Sequence, residues 1–361
     1  MTVADLARSL VTIPSHEDPT AAGDAIEAWL RAETDGEVHR DDVGNVVARR
    51  GDGPSLALVG HHDVVPPAAG QVEGSDYVVE TADGRLYGRG AADMKGALAA
   101  AMVAFRDAEP AGELVFASFV GEEVGGTGAR AAIDAGFAPD FAVVAEGSTG
   151  YSAPGVTDVA VAHRGRRGST LTARGEAAHA STPERGVNAI YRACEAIAFV
   201  RGLELPAVEV LGEPVRGSLA VTEIEGGDAW NVIPDTCTVT VDERTVPGEL
   251  APLERAEAVE GVEWTVDDVV PPMACDDEAF AEAALEALRS ATATDPAPGE
   301  PQLVAKPHAT DAGWLAEAGV TCVVCGPAEL GQAHTATESV DLAVLDRCER
   351  AYRSLAAAWS G

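Results

Sequence analysis

The feature that most constrains how this chain can fold is an alternation in its first 150 residues. Short apolar runs alternate with helical patterns, and each run ends in polar residues suited to chemistry. SLALVGHHDVV leads into His61, His62 and Asp63, ELVFASFVGEE into Glu122 and Glu123, and DFAVVAEGS into Glu146. ADMKGALAAAMVAFRDA reads as a long Ala-rich helix, and GGTGARAAIDAG as a helix closed by Gly136. Upstream, ADLARSLVTI and DAIEAWLRAE are amphipathic, with Asp24 expected as the N-cap of the second. Strand–helix–strand order predicts an α/β sheet covered by helices on both faces. Ligands of such sheets bind beyond the carboxyl ends of the strands, so the residues there are the candidates.

From about Gly165 the texture changes. GSTLTARGEAAHAS, LAVTEIEGG and TCTVTVDERTV alternate with period two around one helical segment, GVNAIYRACEAIAFVRG. A small α+β domain with a partly exposed antiparallel sheet is expected over 165–270, inserted into a larger domain formed by 1–164 and 271–361. VDDVVPPMACDD reads as a Pro- and acid-rich turn between them. The last segments, DAGWLAEAG, VTCVVCG and AVLDRCERAYRSLAAAWSG, are expected to complete the first sheet.

Composition narrows the partners. There are 59 Asp+Glu against 25 Lys+Arg, a net charge of −34, and Lys95 and Lys306 are the sole lysines. The acids are spread among ordinary apolar periodicity, so they do not form a disordered tail. Self-repulsion of this size is relieved by salt, which points to the cytoplasm of a salt-accumulating halophile, with an ordinary acidic mesophilic enzyme as the competing reading. Nucleic acid and anionic membranes are poor partners for such a surface, and no apolar run is long enough to span a bilayer. The N-terminus lacks a basic n-region and an apolar h-region, so a cytoplasmic location is expected. Cys322-x-x-Cys325 sits in an apolar β-like run without a second cysteine pair and is assigned no function. No phosphate-binding glycine motif is present.

His61, Asp93, Glu122, Glu123, Glu146 and His334 all lie at expected strand ends or Gly-punctuated turns. Taken singly, a histidine there is an ordinary hydrogen-bonded group, and paired glutamates are a solvated loop. Taken together, histidines with carboxylates and no thiolates suit zinc, cobalt or manganese, and a carboxylate can bridge two ions roughly 3.5–4 Å apart.

The strings GHHDVVP (60–66), GRGAADMKG (88–96), GEE (121–123), AEGS (145–148) and AHTATES (333–339) resemble the motifs of the di-zinc aminoacylase/carboxypeptidase family. The resemblance implies a mixed-sheet metallopeptidase-like catalytic domain with an inserted α+β lid and dimerisation domain. It implies two divalent ions, zinc first and cobalt or manganese as alternatives. His61, Asp93 and Glu146 would hold one ion and Asp93, Glu123 and His334 the other, with Asp93 bridging and a cis peptide bond expected at Asp93-Met94. Glu122 would be the general base, taking a proton from the attacking water and passing it to the leaving amine. Asp63 would orient His61 through its other ring N–H. In the inserted segment, GEAAHASTPERGVNAI resembles the stretch whose histidine, here His179, stabilises the oxyanion. Arg166, Arg167, Asn231 and Arg244 sit in motifs implicated in gripping the substrate carboxylate or carbonyl. For Arg166 and Arg167 a simple β-turn charge pair is the competing reading. His334 is followed by TATES rather than H-x-x-N-E, so the Asn is missing while Glu338 keeps its spacing. The implied activity is a homodimeric amidohydrolase that removes an N-acyl group from a small amino acid. Succinyl-diaminopimelate is the first substrate to expect, acetylornithine or acetyl-lysine the second and a dipeptide or carboxypeptidase substrate the third. A non-enzymatic binding module is the competing class.

Overall fold

The computed structural model describes residues 1–293 and 299–361. The chain forms two compact units. One comprises Met1–His163, Val210–Glu213 and Met273–Gly361, and the other Arg164–Glu209 and Pro214–Pro272.

The larger unit is built on a nine-stranded sheet. Its spine runs Glu37–Arg40, Val46–Arg50, Glu113–Phe119, Ser55–His61, Phe141–Val144, Thr321–Val324, Val159–His163 and Met273–Ala274, and Leu303–Lys306 pairs with Val159–His163. The four strands Glu113–Phe119, Ser55–His61, Phe141–Val144 and Thr321–Val324 are mutually parallel, and both margins are antiparallel. Every residue of Ser55–His61 is buried, as expected of an uninterrupted apolar run covered on both faces. Ala57, Val59, Val115, Ala117 and Phe119 share one core with Ala129 and Ala132 of helix Thr127–Asp134 and with Ala312 and Leu315 of helix Ala312–Glu317.

The opposite face carries helix Gly96–Asp107, whose small side chains let it bury almost all round. Its approach depends on Gly60. A Cβ there would lie 2.4 Å from Met94 Cε and 2.9 Å from Leu98 Cδ2. From Ser55–His61 the chain steps to one neighbour, Glu113–Phe119, and then back across to the other, Phe141–Val144. The order therefore reverses at Ser55–His61, which is where an open α/β sheet leaves a crevice at its carboxyl end.

The smaller unit is a four-stranded antiparallel sheet in the order Ser218–Gly226, Thr236–Arg244, Arg166–Arg174, Val262–Val270. Burial alternates strictly along Thr236–Arg244. Its inward Val239 and Val241 pack with Leu171 and with Ala189, Ala193 and Ala196 of helix Ala189–Arg201, which Asn188 caps through its side chain.

The α/β class with a mixed central sheet is as expected, two local readings are corrected, and one strand is added to them. The second helix spans Thr20–Glu33, so Asp24 lies inside it rather than at its N-cap. The start signal is Asp18, whose Oδ1 accepts from the Thr20 N–H at 2.9 Å with Pro19 between them, while Asp24 pairs with Arg40. VDDVV is not a turn but the end of strand Val262–Val270. Both of its faces are largely exposed, so the acids that make it read as a loop are simply solvated. Leu303–Lys306 forms a further strand, whose four residues are too few for a periodic signal. No helix among the described residues is long and apolar enough to cross a membrane.

Candidate metal centre

The reversal point gathers the carboxyl ends of three parallel strands, and the polar residues just beyond them converge. His61 ends its strand almost fully buried, 1% exposed. Its Nε2 lies 3.1 Å from Asp93 Oδ1 and 3.1 Å from Glu146 Oε1. His334 approaches from the C-terminal segment, its backbone in the left-handed region (φ 64°) and its ring half-exposed. His334 Nε2 lies 3.2 Å from Asp93 Oδ2 and 3.1 Å from Glu123 Oε1. Asp93 thus turns one oxygen to each histidine, and the Asp93-Met94 peptide bond is cis. His61, Asp93 and Glu123 form one group whose ligand atoms are close enough to share an ion, and His61, Glu122 and Glu146 form another. This clustering alone does not separate Glu122 from the ligands.

A backbone-directed set of carboxylates holds these loops. Buried Glu338 pairs with Arg89 and accepts through Oε1 from the N–H groups of Ala92 (3.0 Å) and Asp93 (3.1 Å). Glu338 follows His334 by four residues, so one segment supplies a ligand candidate and fixes the loop of Asp93. Asp63 plays a related part. Its carboxylate accepts from the N–H of Glu122 (3.3 Å) and of Glu123 (3.2 Å), fastening their turn to the strand end beside it. His61 Nδ1 lies 3.0 Å from the Asp63 backbone carbonyl and 3.5 Å from its Oδ1, so the carbonyl is the nearer support for the ring. His62 faces away, buried against Ser118 Oγ at 2.8 Å, and burial lowers its pKa to about 3.

Glu122 and Asp311 are both raised by burial. Burial, reinforced by Asp311, Glu146 and Asp93, pushes the Glu122 carboxyl well above the usual carboxylate range. Burial works against charge on Asp93 as well, but hydrogen bonds from His334 and His61 outweigh it and hold that group far below its ordinary value. The same bonds, to Asp93 first and then Glu123, raise His334 to about 10.

Two further residues of this cluster escaped the reading of the sequence. Lys306 Nζ lies 3.6 Å from Glu146 Oε2. Asp311, 2% exposed, has neither carboxylate oxygen hydrogen-bonded among the described residues, and burial lifts its pKa to about 7. Lys306 ends, and Asp311 follows, a strand too short to recognise. The usable signal was that Lys306 is one of two lysines in the chain.

The other expected site residues belong to the smaller unit. His179 is exposed and pairs across to Val232. Its Nδ1 accepts from the Ser181 N–H at 3.1 Å, and a backbone N–H can only donate, so the neutral ring carries its proton on Nε2. The Asn231 carbonyl accepts from the Ala180 N–H at 2.9 Å, beside His179. Arg166 is partly exposed and reaches Asp242 and Asp268, and Arg244 forks onto Asp242. Arg167 is buried, donating to Glu243 and to the Ala251 carbonyl, both at 2.6 Å.

The sequence profile of peptidase family M20/M25/M40 matches residues 57–358. The chain belongs to this family. It is 32% identical over 341 residues to an acetylornithine deacetylase of Myxococcus xanthus, covering 86% of this chain and 83% of that protein. It is equally 32% identical over 343 residues to a succinyl-diaminopimelate desuccinylase of Acidiphilium cryptum, covering 90% and 85%. Among solved structures it resembles aminopeptidase PepT of Bacillus cereus, with a TM-score of 0.79, 20% identity and coverage of 98% and 96%. It also resembles YXEP of Bacillus subtilis, described as a dinuclear metal-binding peptidase, with a TM-score of 0.70, 19% identity and the same coverage. As a member of the family the chain is a hydrolase of amide bonds, on a fold its members share, and the residues brought together in its larger unit could hold metal ions.

Proposed function

We propose that this chain is a two-metal deacylase that removes an acetyl or succinyl group from the nitrogen of a small amino acid. The observation that carries the reading is the divided carboxylate of Asp93, one oxygen toward His61, which Glu146 also approaches, and the other toward His334, which Glu123 also approaches. That is the donor set of two adjacent cation positions sharing one bridge, and its nitrogen and oxygen donors suit zinc, with cobalt or manganese as substitutes. The names of the two relatives, one a deacetylase and the other a desuccinylase, support the substrate class.

Bound there, two divalent ions would make water acidic enough to ionise near neutrality and polarise the amide carbonyl. Glu122 is proposed as the general base. Its carboxylate, gathered beside His61 and Glu146, is suited to take the proton of the attacking water and deliver it to the departing amine. Asp63 holds the turn that aims Glu122. His179 Nε2–H is proposed as the donor to the developing oxyanion, with Asn231 beside it, and Arg166 and Arg244 as the grip on the substrate carboxylate. Arg167 is given a structural part because Glu243 and Ala251 occupy it. Assembly as a homodimer in a salt-rich cytoplasm completes the reading, from the family resemblance and the charge of −34.

The test is hydrolysis of N-acetylornithine, N-acetyl-lysine, N-succinyl-diaminopimelate and a few dipeptides by protein loaded with zinc or cobalt in concentrated KCl. One acyl amino acid should be strongly preferred. E122Q should lower kcat by about 10²–10⁴-fold while retaining both ions. No turnover of any acyl amino acid by folded, metal-loaded protein would sink the substrate class, and dipeptide turnover alone would make the chain a peptidase.

A further inference from the structure

The chain retains two lysines, and both are buried, Lys95 at 0% and Lys306 at 6% exposure. In a protein whose other cationic side chains are all arginines, a buried ammonium beside the metal centre calls for a local reason. Lys306 Nζ faces Glu146 Oε2 at 3.6 Å, and the other oxygen of that carboxylate, Oε1, faces His61 Nε2 at 3.1 Å. The two oxygens are therefore divided between a fixed cation and the proposed metal position.

We propose that Lys306 is a positioning residue that holds Glu146 as a one-oxygen ligand, and so keeps a coordination position of its ion open for substrate or water. This rests on the proposed metal centre and adds to it a residue that binds neither ion nor substrate. Two consequences follow from charge and geometry. An ammonium on the far side of the carboxylate repels a dication at Oε1 and weakens binding there. Without it, Oε2 is free to swing onto the ion, because carboxylates bind in one-oxygen or two-oxygen modes and their neighbours decide which.

The test isolates that position in the full-length protein with H334A, which removes a ligand of the other ion. Cobalt(II) is titrated into apo H334A and into the H334A/K306M double variant, following calorimetric affinity and visible absorption. Loss of the ammonium should tighten cobalt binding at least tenfold. It should also weaken the absorption per ion, as coordination rises toward six. K306R in the same background should stay within threefold of H334A, because it keeps the charge. K306Q carries the same expectation as K306M should the methionine variant not fold, as judged by circular dichroism. Equal or weaker cobalt affinity with unchanged absorption in the uncharged variants overturns the inference. No cobalt binding by the wild-type chain removes the metal centre and this inference together. Neither readout needs turnover, so a failed substrate assay leaves the inference standing.

Discussion

The Asp63 carboxylate bridges the backbone N–H groups of Glu122 and Glu123, so one side chain sets the relative placement of the proposed base and a proposed ligand. Replacing it by alanine leaves two N–H groups without their acceptor and lets that turn drift. D63A should lower kcat at least tenfold with KM little changed and with both ions retained, as steady-state kinetics and metal analysis would show. A fall confined to metal content would instead make Asp63 a support of His61 alone. The identities at the centre were readable because GHHDVVP, GRGAADMKG and GEE are short strings in which neighbours in sequence are neighbours in space. What Glu338 does was not readable, since its partners Ala92 and Asp93 lie about 245 residues away. Lys306 and Asp311 were missed for the same reason, with no string around them to mark a site.

Among the elements, one close approach is that of helix Gly96–Asp107 and the Met94 before it to strand Ser55–His61. G60A places a methyl group within 2.4 Å of Met94 Cε, and it should cost about 1–3 kcal/mol, read as a lowered denaturation midpoint. A second prediction concerns pH. Asp140 Oδ2 accepts from the Ser55 N–H (2.7 Å) and the Ser55 hydroxyl (2.9 Å), pinning the starts of two neighbouring strands. The Ser55 backbone bond, with the hydroxyl, holds the Asp140 pKa below its ordinary 3.8. A lowered carboxylate pKa stabilises the fold above 3.8, and that contribution is lost as pH falls through the folded value. Because Asp140 is solvent-exposed and screened, D140N should cost less than about 1 kcal/mol at neutral pH and progressively less below 3.8. Equal destabilisation at every pH would mean that the charge is irrelevant. The parallel strands were evident from sequence because burial on both faces makes them continuously apolar. Strand Val262–Val270 was hidden because exposure on both faces erases the alternation that marks an edge.

Over the whole molecule the net charge of −34 dominates. Raising KCl from about 0.1 M to about 1 M shortens the screening length from ~10 Å to ~3 Å, which removes most repulsion between neighbouring surface acids. The melting temperature should rise by several degrees over that range, and sodium chloride should act similarly. A flat or falling melting temperature would show that repulsion among the surface acids does not limit stability. The charge was plain in the composition, whereas the burial of both lysines was not, because composition carries no depth.

Strand Thr321–Val324 lies between Phe141–Val144 and Val159–His163, although it is made far later. While the residues between Val144 and Thr321 are still being made, one edge of Phe141–Val144 lacks its partner, an invitation to cross-pairing with other chains. Mutual repulsion among such acidic nascent chains works against that accident. His334 arrives later still, and only then can the second proposed cation position form. On the proposed reading, a chain not yet extended to His334 would lack that position and could not hydrolyse amides.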